Sequence, residues 1–108
     1  MDESEYQKLA DQTLHDVETM LDEVDPDVLD LERAGDVLTL TFKGGKRAVL
    51  NTQRPTRQLW LAANARAWHF AFEPSSRRWM DDKGQGVELF AQLAAIAAEL
   101  GGVTLRVP

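Results

Sequence analysis

The chain has no cysteine, which excludes disulfides, thiolate metal sites and thiol catalysis. It has only two histidines, His15 and His69, and no serine set between glycines, so nothing resembles a catalytic triad. Gly84-Gln85-Gly86 is too short for a phosphate loop. No apolar run approaches the ~20 residues that a membrane helix needs. Met1-Asp2-Glu3 leads into no apolar segment, so neither a signal nor a transit peptide is expected, and a cytoplasmic protein is. What remains is ordinary for a globular chain: 44% hydrophobic and 28% charged residues. At 108 residues, a single domain spanning 1–108 is expected, able to bury ~65% of its unfolded surface.

The unusual feature is where the acid lies. Of 18 acidic residues, 12 fall in the first 32 positions with only Lys8 opposing them, so that segment carries 1 − 12 = −11. The remainder carries 11 basic and 6 acidic groups, +5, and the two sum to −6. Such asymmetry makes one end attractive to cations or a basic partner and costs stability through self-repulsion. The acidic balance argues against nucleic acid as a ligand.

Ser4 followed by Gln7 reads as a capping box that opens a helix. Tyr6, Leu9, Ala10, Thr13, Val17, Met20, Leu21 and Val24 then form one stripe, and Pro26 ends the helix. Asp11, His15, Glu18, Asp22 and Asp25 step along another side. His15, between Asp11 and Glu18, fits a metal ligand or a surface residue making i,i+4 contacts. Strand candidates follow at Leu29–Arg33, Val37–Phe42, Lys46–Thr52, Gln58–Ala63, Ala67–Phe72 and Arg78–Met80. Gly44-Gly45 and the other short connections imply an antiparallel meander. A second helix is expected from about Val87 to Leu100, stopped by Gly101-Gly102, with Val103–Val107 laid back on the body. The fold class expected is α+β: a two-layer sandwich with both helices on one face of a five- to six-stranded antiparallel sheet.

Side chains alternate along a strand, so Leu59 and Leu61 share a core face and Trp60 points the other way with Gln58 and Ala62. A tryptophan on an open sheet face suits a binding anchor, since Trp is enriched among interface hot spots. It suits equally a ring packed flat on its strand neighbours. His69 lies opposite Trp68 and Phe70, on the same outer face, near Trp60 if the two strands pair, although spacing alone favours a merely solvated histidine. The carboxylate-rich end suits hard cations such as Ca²⁺, Mg²⁺, Mn²⁺ or iron. Asp25-x-Asp27-x-x-Asp30 is no calcium loop of the EF-hand type: Pro26 sits inside it, and the glycine and closing glutamate are missing.

The chain resembles the frataxin family in its bacterial branch. The likeness runs through Ser4-Glu5-Tyr6, Leu9-Ala10-Asp11, Val37-Leu38-Thr39-Leu40-Thr41-Phe42, Asn51-Thr52-Gln53-x-Pro55, Gln58-x-Trp60-Leu61-Ala62, His69-Phe70 and Trp79. The resemblance implies a frataxin-like sandwich, a part in iron–sulfur cluster assembly, and weak, open binding of Fe²⁺ or Fe³⁺ through carboxylates. By position, the iron-side residues implied are Glu18, Asp22, Glu23, Asp25, Asp27, Asp30 and Glu32. The implied partners are a cysteine desulfurase and its scaffold protein, met through Gln58, Trp60 and His69. The sequence departs from the family pattern at Thr19-Met20, which interrupts the charged stretch, and in the tail Leu100–Pro108.

The function expected is therefore a non-enzymatic iron-binding regulator of cluster assembly, a monomer with metal-driven oligomers open to it. The alternative is an acidic protein–protein interaction module whose metal binding is incidental. A ferroxidase is disfavoured because no paired Glu-x-x-His motif is present.

Overall fold

In the computed structural model, which describes residues 1–108, the chain begins with helix α1 over Glu3–Leu21. Its cap is Asp2, not Ser4: the Asp2 carboxylate accepts the Glu5 N–H at 2.8 Å. Asp2 sits one turn before Glu5, the same capping logic two residues earlier than the Ser4–Gln7 reading. Gln7 instead gives its amide to Asp11. The helix also stops before Val24 and Asp25. Asp22 is its C-cap residue, and no basic side chain occupies the last turn. Acidic groups oppose the negative end of the helix dipole there, and Pro26 disfavours helical backbone at Asp25.

Six strands follow in a plain meander: β1 (Leu29–Ala34), β2 (Val37–Phe42), β3 (Arg47–Gln53), β4 (Gln58–Ala63), β5 (Arg66–Glu73) and β6 (Arg78–Asp81). All are antiparallel, ordered β1-β2-β3-β4-β5-β6. Helix α2 (Leu89–Gly101) closes the layer, starting two residues later than the apolar pattern suggests. Glu88 is the reason. It pairs with Met80 in an isolated bridge, and its carboxylate caps the helix by accepting the N–H groups of Phe90 and Ala91.

Both helices cover one face of the sheet. Tyr6, Ala10, Leu14 and Val17 of α1 and Leu89, Leu93, Ile96 and Ala97 of α2 join Leu38, Leu40, Leu50, Leu59, Leu61 and Phe70 in one buried core. Each fully buried leucine contributes roughly 1.5–3 kcal/mol of transfer free energy. Two polar contacts fix how α1 seats. The buried Tyr6 hydroxyl donates to the Gln58 carbonyl at 2.8 Å and accepts the Gln53 N–H at 3.0 Å. The Trp79 indole donates to the Thr13 hydroxyl at 2.8 Å, which in turn donates a hydrogen bond to the Leu9 carbonyl at 2.7 Å. At the far end, a Cβ on Gly101 would fall 2.6 Å from Cδ1 of Phe42, so only glycine lets α2 approach β2 there. Leu105 is buried, so the tail does lie back on the body.

Candidate functional site

The meander register lines up outward-facing residues in rows. One row runs Val37, Asn51, Trp60, His69, each directly opposite the next across neighbouring strands. Leu59 and Leu61 are buried while Gln58 and Trp60 are only partly so, as strand alternation requires. No helix lies over this face. Val37, at the start of the row, is one of three exposed large hydrophobic residues.

Trp60 and His69 form a stacked pair, ring centroids 4.3 Å apart and planes 17° from parallel. The Trp60 indole donates to Oε1 of Gln58 at 2.9 Å, and Nε2 of Gln58 donates to Oδ2 of Asp82 at 3.2 Å. The same Asp82 oxygen lies 3.6 Å from Nδ1 of His69, an ion pair when the imidazole is protonated. The Asp82 N–H donates to the His69 carbonyl at 2.9 Å. Gln58, Trp60 and His69, singled out from the sequence, are thus brought together, and Asp82 closes the cluster. Sequence reading missed Asp82 because it lies outside every strand candidate. The signal that finds it is the β5–β6 register, which pairs Phe70 with Asp81 and so delivers the next residue beside His69.

The loop holding Asp82 is braced by its neighbour. Asp81 accepts three backbone N–H groups, from Lys83, Gln85 and Val87, at 3.2, 3.0 and 2.8 Å. These bonds, Gln85's foremost, together outweigh the opposing pull of burial and hold the Asp81 carboxyl below the ordinary aspartate range.

The acidic residues are distributed differently. Asp22, Glu23, Asp25 and Asp27 lie around the end of α1 and the turn after it. Asp30 and Glu32 lie on the edge strand β1, opposite Thr41 and Thr39. Glu18 is half-covered and paired with Arg33. Asp25 spends one oxygen on the Asp27 N–H at 2.9 Å. Glu18, Asp22 and Asp30 line one groove of about 310 Å³ together with Leu21, Val24 and Leu29. The acids do not gather three or more at metal-ligand spacing. His15 stands exposed on α1.

Two helices on one face of a six-stranded antiparallel meander, with a polar–aromatic cluster on the uncovered face, define a small α+β sandwich of the frataxin type. The frataxin-like domain matches residues 1–102, and the chain belongs to the frataxin family. It is 39% identical to the iron–sulfur cluster assembly protein CyaY of Pseudomonas aeruginosa, over 100% of this chain and 98% of that one. Its fold superposes on the frataxin of Psychromonas ingrahamii with a TM-score of 0.87 at 30% identity, covering 97% of this chain and 96% of that one. Trimeric yeast frataxin, complexed with ferrous iron, shares the fold at a TM-score of 0.67 and 24% identity, over 95% of this chain and 88% of that one.

Proposed function

We propose that this protein is a non-enzymatic, iron-binding regulator or adaptor of iron–sulfur cluster assembly, working in the cytoplasm. The sheet face around Gln58, Trp60 and His69 meets a cysteine desulfurase and its scaffold protein. Iron is carried as weakly held cargo at the acidic end.

The observation that carries the partner reading is the Trp60–His69 stack on a sheet face with no covering element. A large aromatic held rigidly beside hydrogen-bonding groups is the composition of an interface hot spot. Near-full-length likeness to a relative named for cluster assembly supplies the pathway. No helix is long and apolar enough to cross a membrane.

Iron as cargo is supported by charge and by position. Glu18, Asp22 and Asp30 line a single groove, and further carboxylates surround the end of α1. That helix end has no basic residue to offset its dipole, so a hard cation would relieve both the dipole and the mutual repulsion. The yeast relative complexed with ferrous iron is consistent with this cargo.

Two experiments test the reading. Affinity capture from cell extract, with the bound proteins identified, should recover a cysteine desulfurase. Its absence together with other basic proteins would favour a general acidic interaction module. Titration with Fe²⁺, or with Mn²⁺ or Co²⁺ in its place, should broaden the NMR signals of Asp22, Glu23, Asp25 and Asp27 first. Broadening centred on His69 would contradict the placement of the cargo. Binding should weaken as pH falls, because carboxylates bind metal deprotonated.

A further inference from the structure

We propose that Asp82 is the positioning residue of the sheet-face cluster, holding Trp60 ready for its partner through two routes at once. This rests on the partner reading above.

The geometry is that of a clamp. A single Asp82 oxygen faces both Gln58 Nε2, at 3.2 Å, and His69 Nδ1, at 3.6 Å. Gln58 in turn fixes the edge of the Trp60 indole at 2.9 Å, and His69 lies against its face. The carboxylate therefore acts on the indole twice, at the edge through a hydrogen-bonded amide and at the face through an imidazole that it attracts when the ring is protonated. Each of these side chains has rotamers that would leave the indole loose. Losing them on binding costs conformational entropy, so an arrangement already locked in the free protein raises affinity without a new contact. Asp82 is itself held from outside the cluster. Its N–H is tied to the His69 carbonyl, and the adjoining loop hangs on the three hydrogen bonds to Asp81. No backbone group donates to the Asp82 carboxylate, which leaves it free to serve the two side chains.

The test uses Asp82→Ala and Asp82→Asn in the full chain, alone and with Trp60→Ala. Asp82 is exposed, so both variants should keep the fold and melt close to the parent. In the free protein, Asp82→Ala should shift the Trp60 indole N–H and the His69 imidazole NMR signals, leaving those of His15 and Trp79 in place. Its affinity for the desulfurase or scaffold should fall about tenfold. Asp82→Asn, which keeps an oxygen for Gln58, should restore part of that loss. In the Trp60→Ala background, Asp82→Ala should have no further effect. Unmoved ring signals would overturn the proposal. An equal loss of affinity with and without Trp60 would also overturn it, since Asp82 would then touch the partner itself. If Trp60→Ala leaves affinity unchanged, the partner reading fails, and the ring signals of the free protein still decide the role of Asp82.

Discussion

The Trp60 indole lies flat against the His69 imidazole, 4.3 Å between centroids, on the one sheet face that no helix covers. Trp79 presents the opposite case. It is 2% exposed, donates to Thr13, and sits edge-on to both Tyr6 and Phe72, at 6.2 and 5.4 Å. These two tryptophans thus sit in opposite environments, one on the open sheet face and one in the core.

Trp79→Ala should lower stability by about 3–5 kcal/mol, because it removes a large buried side chain and leaves a cavity between α1 and the sheet. A thermal melt should fall by more than about 10 °C. A small shift would mean that the core collapses around the site.

The end of α1 should be strained by its own charge. Asp22→Asn and Asp25→Asn should each stabilise slightly, by a few tenths of a kcal/mol, since each removes a negative charge near the negative end of the helix. An asparagine in place of Asp25 keeps a side-chain oxygen for the Asp27 N–H that Asp25 accepts now. Moderate salt should raise the melting temperature of the parent by screening the repulsion. Clear destabilisation by both substitutions would show that these acids are structural.

The hairpin between β4 and β5 turns through Asn64 and Ala65, both left-handed with φ of 50° and 63°. This is the two-residue turn that favours Asn-Gly. An alanine there costs roughly 1–2 kcal/mol, and glycine returns part of that as chain entropy. Ala65→Gly should therefore stabilise by about 0.5–1 kcal/mol. The midpoint of urea unfolding should move up with an unchanged slope, and a lower midpoint would contradict the assignment of strain.

Stability should fall at both ends of the pH scale for identifiable reasons. The Asp81 carboxyl is held below its ordinary range by the N–H groups of Gln85, Val87 and Lys83. Its contribution is present above the unfolded value of about 4 and is lost as pH falls through the folded one. Tyr6 is displaced upward, chiefly by burial. Its contribution is full below about 10 and is lost as pH rises beyond that, when the unfolded chain ionises first. Melting temperature against pH should therefore be flatter on the acid side for Asp81→Asn, and flatter on the alkaline side for Tyr6→Phe. Parallel curves would remove both residues as the cause.

Much of this was legible in the sequence because its strands are half-buried and alternate cleanly. Leu59 and Leu61 against Trp60, or Leu38 and Leu40 against Thr39, assign faces without coordinates. Strand bounds slipped by a residue where the pattern blurs, as at Arg47–Gln53. The helix ends were harder. The apolar stripe of α1 runs on through Val24, while charge and Pro26 stop the helix at Leu21. Asp2 and Ser4 are both competent caps, and Asp2, one turn before Glu5, is the one used. Asp82 was not legible at all. Its place in the site comes from how one hairpin registers against another, a relation that no local pattern records.

The central claim is that Trp60 is kept for a partner and not for the fold. The measurement is a thermal melt of Trp60→Ala beside its affinity for the cysteine desulfurase or scaffold. The account predicts a melting temperature close to the parent and an affinity lower by about 2 kcal/mol, roughly thirtyfold. A melt that drops as far as that of Trp79→Ala, or an affinity equal to the parent's, would contradict it.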